Sequence, residues 1–425
     1  MSHTREARRS WRCWGASAGA ILLAGLGAGG CAQSAASQDP AVLRFATPIS
    51  LTGQFASDGR LTLDGYQYCA RVVNAEGGVR VGARRLRLQI VASDDQSSPL
   101  ISASLVQGFD QQGIHFILGP YGSTDTAADA PVAERNQQIL ADSAGADDTI
   151  FGNGYRWVFG VEAPASQYAA TIVEAIINEA RPRPRTVAFV AANDGFSQEV
   201  VRSGIIEAER LGLRVFPPIT FPAGSTNLDS VVTTLRDERP DAVVESGHLV
   251  EGLAFVQDAA QLGLRPDGVG ETVAPPDPQF TQVLGPLADG VLGSTQWVPD
   301  QPATGPIFGS AASYAAGFRT VYGFVPDYHP AEATAACLAL VLAIEQAGST
   351  NPERVRAKLA TLDTQTFFGL LRFDPEGEDI YQHMDVMQVQ DGQAVTVWPQ
   401  QLATGRMIWP APPGGAGQGQ RPGSA

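Results

Sequence analysis

Residues 86–120 read LRLQIVASDDQSSPLISASLVQGFDQQGIHFILGP and contain the unit that decides the fold. The apolar run 86–92 predicts a strand, 100–111 has the apolar spacing of a helix, and 116–118 predicts a second, short strand. A strand, a helix and another strand in this order form a crossover unit, in which the strands run parallel and the helix packs on the sheet. The stretch therefore predicts an α/β fold built on a parallel sheet.

The same alternation extends in both directions from this unit. Upstream, 42–49 predicts a strand and 61–74 predicts a helix. A second series begins after residue 160, with predicted helices at 167–179, 198–211, 228–236 and 250–262 and predicted strands at 186–191, 214–219 and 242–245. Helix 331–347 has an almost wholly apolar face, which is typical of a core helix. We therefore expect two doubly wound parallel-sheet lobes, with ligand-binding loops after the carboxyl ends of the strands.

Composition narrows the classes of function. A length of 425 residues suits about two compact units, and a hydrophobic content of 44% supplies their cores. The net charge of −15, with no basic stripe beyond the first residues, argues against a nucleic-acid partner. The sequence lacks a nucleophile elbow, a phosphate-binding loop and any Cys or His cluster with metal-ligand spacing. We therefore expect no enzyme activity, no cofactor and no metal site.

The N-terminus has the organisation of an export signal, predicted over residues 1–30. Arginines precede a small, apolar run at 16–27, and Cys31 follows it closely. A cysteine at this place is similar to the lipobox of bacterial lipoproteins, in which the thiol becomes diacylated. This resemblance implies lipidation at Cys31 and a membrane-anchored protein in the periplasm or at the cell surface. Ordinary cleavage nearby, and twin-arginine export through Arg8 and Arg9, remain open.

The exported part of the chain has a predicted linker, a predicted tail and two cysteines in its folded body. A polar linker, 31–41, precedes the first strand, and a flexible C-terminal tail is predicted over 399–425, which becomes rich in proline, glycine and glutamine. Cys69 and Cys337 remain in the folded body. Both lie in helical patterns, which favours two buried thiols over a disulfide, although an oxidising compartment would permit pairing.

Six short motifs then suggest a family. They are 48–53 (PISLTG), 74–79 (NAEGGV), 92–97 (ASDDQS), 117–123 (ILGPYGS), 348–353 (GSTNPE) and 369–374 (GLLRFD). In this order and behind an export signal, they resemble the type I periplasmic binding proteins of the branched-chain amino acid family, the solute receptors of ABC importers. The likeness covers residues 42 to 398.

The resemblance implies two lobes joined by a three-segment hinge. Lobe one would comprise 42–162 plus 298–368, and lobe two 163–297 plus 369–398. The implied function is an extracytoplasmic solute-binding lipoprotein that captures an amino acid or related small solute between the lobes and delivers it to an ABC transporter permease. An alternative is a ligand-sensing receptor module for an amide, a urea or an aromatic acid.

The loop after strand 116–118 carries the first candidate ligand contacts. Ser123 opens a helical stretch, where a hydroxyl and free backbone N–H groups favour a carboxylate. In the resembling family, the matching serine binds the α-carboxylate of an amino acid; a plain helix cap is the alternative. Tyr121, in the same loop, is a candidate either for ligand contact or for packing.

Two further loops match places where the family contacts ligand. In 141–146, the family uses backbone groups and a threonine hydroxyl; here Gly145 and Ala146 occupy the place, so the hydroxyl is missing. Glu271 follows a predicted strand of lobe two, where the family commonly has an acid that pairs with the ammonium. A turn without ligand contact and a solvated acid are the respective alternatives.

Three candidates occupy positions where the family favours aromatic residues. Phe196 matches a tyrosine that covers the ligand, and His248 matches another aromatic position; a core phenylalanine and a surface histidine are the alternatives. Asp58 replaces an aromatic that packs on an aliphatic ligand side chain. An acid there suits a polar or cationic ligand group, unless it faces solvent, so the sequence leaves the identity of the solute open.

Overall fold

The computed structural model describes residues 41–411. The first sheet contains β1 (Val42–Ile49), β2 (Val79–Val81), β3 (Arg84–Asp94), β4 (Phe116–Leu118), β5 (Ile139–Asp142) and β6 (Val158–Gly160). Its strand order is β2-β3-β1-β4-β5-β6. All neighbours are parallel except β2, which pairs antiparallel with β3 at the edge. The first half of the chain therefore builds one parallel sheet, as the sequence predicts.

A second sheet follows in the chain. It begins with β7 (Thr186–Ala192), β8 (Arg214–Val215), β9 (Ile219–Phe221), β10 (Ala242–Ser246), β11 (Gly268–Glu271) and β12 (Leu292–Thr295). Two small hairpins come next, namely β13 (Thr304–Gly305) with β14 (Gly309–Ser310) and β15 (Asp363–Gln365) with β16 (Leu370–Arg372). The chain then returns to the second sheet as β17 (Asp385–Gln390) and β18 (Gln393–Trp398), both antiparallel. The sheet order is β18-β17-β12-β11-β10-β7-β8, with β9 beside β7.

Helices cover the faces of the sheets. Those of the first half are α1 (Ala56–Ala75), α2 (Pro99–Gln111), α3 (Ser123–Asn136), α4 (Asp148–Phe151), α5 (Ala165–Glu179) and α6 (Gly195–Arg210). Those of the second half are α7 (Asp229–Glu238), α8 (Leu249–Leu262), α9 (Pro278–Leu284), α10 (Ala311–Tyr322), α11 (Tyr328–Ala347) and α12 (Pro352–Leu359), with a 3₁₀ turn at Gly285–Ala288.

Alternating side chains of the central strands enter cores on opposite faces of each sheet. In β1, Phe45 joins the core formed with α1 and α11, whereas Ala46 joins the core formed with α2 and α3. In β7, Phe189 and Val190 likewise enter different cores. Because both faces are buried, the central strands are mostly apolar rather than strictly alternating. This arrangement confirms the predicted doubly wound α/β fold.

The boundaries of the lobes follow the two sheets closely. The chain leaves the first sheet after β6 and enters the second lobe with α5; it returns after β12. Leu371 and Phe373 still belong to the core of the first lobe, so the third crossing lies a few residues beyond the predicted boundary at 368. There, Glu378 pairs with Gly160 in an isolated bridge.

Strand 214–219 of the sequence prediction is two strands instead of one. Pro217 and Pro218 separate β8 from β9. Proline lacks the N–H group that a ladder requires, so the run cannot pair continuously with its neighbour.

Helix α11 is a core helix, as predicted. Within residues 41–411, it is the one helix long and apolar enough to cross a membrane, but 78% of its most apolar stretch is buried inside the protein. It packs against α1, β4 and β5 in the first lobe.

The expectation of two free buried thiols is wrong. Cys69 on α1 and Cys337 on α11 form a disulfide, with Cα atoms 6.3 Å apart. Both residues lie on the packed faces of the two helices, and both are fully buried. The helical patterns correctly indicated burial, but they carried no information on which helices face each other.

The C-terminal segment also differs from the prediction of a tail that is flexible from residue 399. Residues 399–411 run back along the second lobe, where Trp409 packs over Gly268 and Ala411 donates its N–H to the carbonyl oxygen of Asp267 at 2.7 Å. Gln388 on β17 exchanges hydrogen bonds with the backbone of Ile408. Aromatic and apolar side chains thus hold a segment whose composition alone suggested flexibility.

Candidate ligand-binding cleft

A small cavity lies between the two sheets at the carboxyl ends of their strands. The first lobe contributes Tyr121, Ser123, Ala144, Ala146, Tyr328, His329 and Glu332, and the second lobe contributes Tyr168, Phe196, His248 and Val273. Its volume is about 20 Å³, which is room for about one water molecule. Residues from both lobes therefore close around the site, and a larger solute requires the walls to move apart.

The N-terminus of α3 forms one wall of the cavity. Gly122 precedes the helix with φ of 95°, a conformation that favours glycine, and Ser123 is the first helical residue. The Ser123 Oγ accepts a hydrogen bond from the Asp147 N–H at 3.1 Å. No side chain from the described part of the chain caps the first turn, and the initial N–H groups of a helix have no partner within the helix. This terminus offers donors and a positive dipole end to an anion.

The loop after β5 supplies part of the same wall. Ala144 and Ala146 line the cavity, whereas Gly145 does not. The Gly145 N–H donates to Asp142 Oδ2 at 2.7 Å, and a side chain at this position would collide with Asp142 and Thr126. Gly145 therefore maintains the shape of the loop, and the ligand contact predicted for it is not supported by its position.

Aromatic rings form the opposite wall. Phe196 lies 5.2 Å from the Tyr168 ring and 5.6 Å from the His248 ring, measured between centroids. Tyr121 Oη and His248 Nδ1 are hydrogen-bonded at 3.0 Å, which joins the first lobe to the second across the cleft. Tyr121, Phe196 and His248, all predicted from the sequence, are thus brought together at one cavity.

Asp58 is buried at the start of α1 and does not face solvent. Neither of its carboxylate oxygens has a hydrogen-bond partner within residues 41–411, and only 1% of the residue is exposed. Burial raises the pKa of this carboxyl, and the nearby His329 and His248 oppose the rise. Asp58 therefore does not line the cavity itself, although its carboxyl is near enough to the two histidines of the wall for them to lower its pKa.

Glu271 does not reach the cavity. It is fully buried at the end of β11, beneath α8, where its carboxylate approaches Gly252 and the carboxyl of Glu245. Burial raises its pKa well above the ordinary value. The side chain that follows it on the cavity side is Val273. Its position after a strand was predicted correctly, but the direction of its side chain, which decides ligand contact, was not.

The structure adds a carboxyl that sequence reasoning missed. Glu332 lies on α11, one helical turn after His329, and both line the cavity. Two polar residues at this spacing in the first turns of a largely apolar helix were the available signal. Burial, followed by the effects of Asp327 and Asp142, raises the pKa of Glu332 well above the ordinary value.

A hydrogen-bonded glutamine connects Glu332 to the three crossings between the lobes. Gln296, in the second crossing, donates from Nε2 to Glu332 Oε2 at 2.5 Å. Its Oε1 accepts the N–H of Ala163 in the first crossing at 2.6 Å. Its carbonyl oxygen accepts from the side chain of Gln382, in the third crossing, at 2.7 Å. The cavity floor and the hinge are therefore one network.

Cys31 and the predicted export signal lie outside the described residues. Within residues 41–411, no group of three or more His, Cys, Asp and Glu side chains is arranged to hold a metal ion.

Comparisons with known proteins agree with this architecture. The chain is 22% identical over 383 residues to Leu/Ile/Val-binding protein homolog 8 of Brucella abortus, covering 86% of this chain and 92% of the relative. It superposes on a leucine binding protein from Thermotoga maritima with a TM-score of 0.74 and 22% identity, covering 84% of this chain and 97% of the other. A solute binding protein of an ABC transporter from R. palustris, in complex with benzoate, gives a TM-score of 0.72 at 18% identity, with coverages of 88% and 97%.

The family comparison spans most of the described residues. Residues 43–394 match a family described as periplasmic binding protein. This match confirms the resemblance drawn from the six motifs and the expectation of a solute-binding protein rather than an enzyme. On the strength of that match, together with the two sheets and the cleft between them, the chain belongs to the periplasmic binding protein family.

Proposed function

We propose that the protein captures an amino acid or a related small carboxylate in its interlobe cleft and delivers it to an ABC importer. The observation that carries this proposal is the convergence of the α3 N-terminus, Ser123 and a ring of aromatic side chains on one cavity bounded by both lobes. The helix terminus receives the carboxylate, and the rings of Tyr121, Phe196 and His248 cover the remainder of the solute.

Binding is coupled to a hinge motion in this proposal. A cavity of about 20 Å³ cannot hold an amino acid, so the lobes separate to admit the solute and close on it. Opening breaks the Tyr121–His248 hydrogen bond, and closure with solute restores contacts between the lobes. The closed form then presents a surface that a permease distinguishes from the open form.

A lipid anchor at Cys31 completes the proposal. The family implies a periplasmic location, and diacylation of Cys31 would hold the receptor at the membrane beside its permease. Fractionation of cells that produce the wild-type chain or Cys31→Ser tests it. The wild-type protein is expected in the membrane fraction and the variant in the soluble or precursor fraction, whereas equal distributions contradict the anchor.

The proposed ligand class is tested by thermal unfolding of residues 32–425 with a panel of amino acids, amides, ureas and aromatic acids. A ligand that binds only the folded state raises Tm by mass action. Ser123→Ala is expected to weaken binding of the active ligand by about 10-fold, because a hydrogen bond to a charged group is lost. Ser104→Ala, on the exposed face of α2, serves as a control and should leave affinity unchanged.

One observation favours a second class of ligand. The similar R. palustris protein is in complex with benzoate, and the aromatic rings of the present cavity suit a flat aromatic acid. A Tm shift with aromatic acids alone would support this alternative, in which a sensing role also remains available. No shift with any member of the panel would contradict solute capture of the proposed kind.

A further inference from the structure

Glu332 is the single carboxylic acid among the eleven residues that line the cavity. Only 1% of the residue is exposed. Gln296 donates to its Oε2, and no other hydrogen bond to this carboxyl occurs within residues 41–411. One oxygen of a buried carboxyl is thus held in place, while the other has no protein donor.

The orientation of Glu332 is determined by the rigid part of the molecule. Gln296 is itself fixed through Ala163 and Gln382, one residue from each of the other two crossings. Glu332 also lies on α11, which the Cys69–Cys337 disulfide joins to α1. A carboxyl fixed in this way does not need to reorganise when a cation arrives, which favours tight and specific binding.

The charges around the cavity indicate which ligand such a carboxyl suits. Among the residues that the structure describes, no arginine or lysine lines the cavity, and its cationic candidates are the imidazoles of His248 and His329. A carboxylic acid without an amine supplies no cation to Glu332, which then either keeps its proton or is an unpaired buried charge beside a second carboxylate, and such a charge is costly. A zwitterion places its carboxylate at the α3 terminus and supplies the missing cation.

We propose that Glu332, and not Glu271, receives the ammonium group of the ligand, so that the solute is an amino acid rather than an amine-free carboxylic acid. This inference rests on the proposed solute-binding function of the same cleft. The ammonium donates to the free oxygen of Glu332, and Gln296 connects that contact to all three crossings. Ligand binding in the cleft is thereby coupled to the hinge through hydrogen bonds.

Isothermal titration of residues 32–425 with matched pairs of probes tests the inference. Each common amino acid is compared with the acid of the same skeleton that lacks the amine, for example L-leucine with 4-methylpentanoate and L-phenylalanine with 3-phenylpropanoate; benzoate is included. The best-bound amino acid is expected to bind at least about 10-fold more tightly than its amine-free counterpart, which lacks the charge-assisted hydrogen bond.

Substitution separates the two candidate acids. Glu332→Gln retains an oxygen that can accept from Gln296 but removes the charge; it should weaken binding of that amino acid by about 10- to 100-fold and abolish the preference over the amine-free acid. Glu345→Gln, near the other end of α11 beside Arg80, is the matched control and should leave affinity unchanged. Glu271→Gln should retain the preference, because its carboxyl does not line the cavity.

Three results would overturn the inference. If Glu271→Gln abolishes the preference while Glu332→Gln retains it, the ammonium is bound at Glu271, and amino acid capture still stands. If amine-free acids bind more tightly than amino acids to the wild-type protein, the cleft recognises organic acids and remains a solute site. If no probe binds at all, the proposed function fails together with the inference. Melting curves of each variant without probe verify that it is folded.

Discussion

Several carboxyl groups in and near the cleft are buried. Burial is the main cause that raises the pKa of Asp58 and of Glu332. At the first crossing, burial and the nearby Asp142 raise the pKa of Glu162. Such groups favour their neutral form until a cation arrives, since burial penalises the charged form. A ligand with a positive group would convert at least one of them to the carboxylate.

This conversion predicts a pH-dependent affinity at Glu332. Since its pKa is raised in the unliganded protein and an ammonium requires the carboxylate, binding releases a proton. The affinity for the best-bound amino acid should therefore rise with pH, by up to about 10-fold per unit for one proton, and become constant above the pKa. Titration calorimetry from pH of about 5 to pH of about 9 measures this slope.

Other titrating groups lie near Glu332, so the dependence of affinity on pH must be compared with that of a variant without this carboxyl. They are Asp327, Asp142, Glu162, His329 and Tyr168. In Glu332→Gln these groups remain and only the Glu332 contribution is lost, so the slope should decrease. An identical slope in the variant and the wild type would show that protons are released elsewhere.

The residue scale also shows what a single sequence could reveal about the site. Ser123 was predicted from its place at a helix start after a strand, and Tyr121 as an aromatic residue of the same loop. Phe196 and His248 were predicted because the resembling family has aromatic residues at those positions. Glu332 was missed because it lies in a helix whose apolar face indicated only a core. Sequence periodicity predicts which helix or strand contains a residue. The direction in which its buried side chain points depends on tertiary packing.

At the scale of elements, α1 and α11 form the central support of the first lobe. They pack face to face, with Gly65 of α1 so close to Pro330 and Ala333 that a side chain there would collide with both. Thr334 donates to the Gly65 carbonyl oxygen at 2.9 Å, and the Cys69–Cys337 disulfide joins the same pair of helices. The segment that carries Glu332 is thus anchored at several points.

The disulfide predicts a measurable contribution to stability. Cys69→Ala combined with Cys337→Ala should lower the free energy of unfolding by about 2–5 kcal/mol, as is typical for loss of a native disulfide. Denaturant unfolding with and without reductant measures it. Reductant should destabilise the wild-type protein towards the value of the double variant, and should not affect the double variant. Equal unfolding midpoints for the oxidised wild type and the double variant would contradict the prediction.

Elements were easier to predict than their partners. Strands β1 and β4 agree with the sequence prediction at both ends, because short apolar runs bounded by polar residues and glycine have little freedom in their limits. The pairing of Cys69 with Cys337 and the docking of Trp409 on Gly268 join distant parts of the chain. Local sequence patterns do not indicate contacts between distant residues. The predictions of free thiols and of a flexible segment at Trp409 were therefore wrong.

At the scale of the whole molecule, raised carboxyl pKa values are widespread. Burial raises the pKa of Asp385 to about 7, and burial together with Asp95 raises that of Asp125 to about 7. Burial, Asp327 and Asp58 raise that of Asp277 to about 8. The folded protein therefore holds protons that the unfolded chain, with ordinary carboxyl pKa values, has already released at neutral pH.

This imbalance predicts that the protein is more stable in mild acid than in mild alkali. Between the ordinary carboxyl pKa of about 4 and the raised values, the folded state binds more protons, so stability decreases as pH rises through that window. Thermal unfolding should give a Tm that falls from pH of about 5 to pH of about 8.

A substitution far from the cleft checks the assignment. Asp385→Asn on β17 removes one titrating group whose pKa is raised by burial alone, so its Tm should depend less steeply on pH than that of the wild type. A wild-type Tm that stays constant or rises over the same interval would contradict the interpretation.

The disulfide has a topological consequence as well. It closes a covalent ring across 268 positions of sequence, and that ring contains the first two crossings and most of the second lobe, while the third crossing lies outside it. Most of the second lobe is thus inserted in a covalent ring that a disulfide of the first lobe closes. A protease that cuts the chain once between residues 163 and 297 would leave both fragments attached to each other, and they would migrate as one species until the sulfurs are reduced.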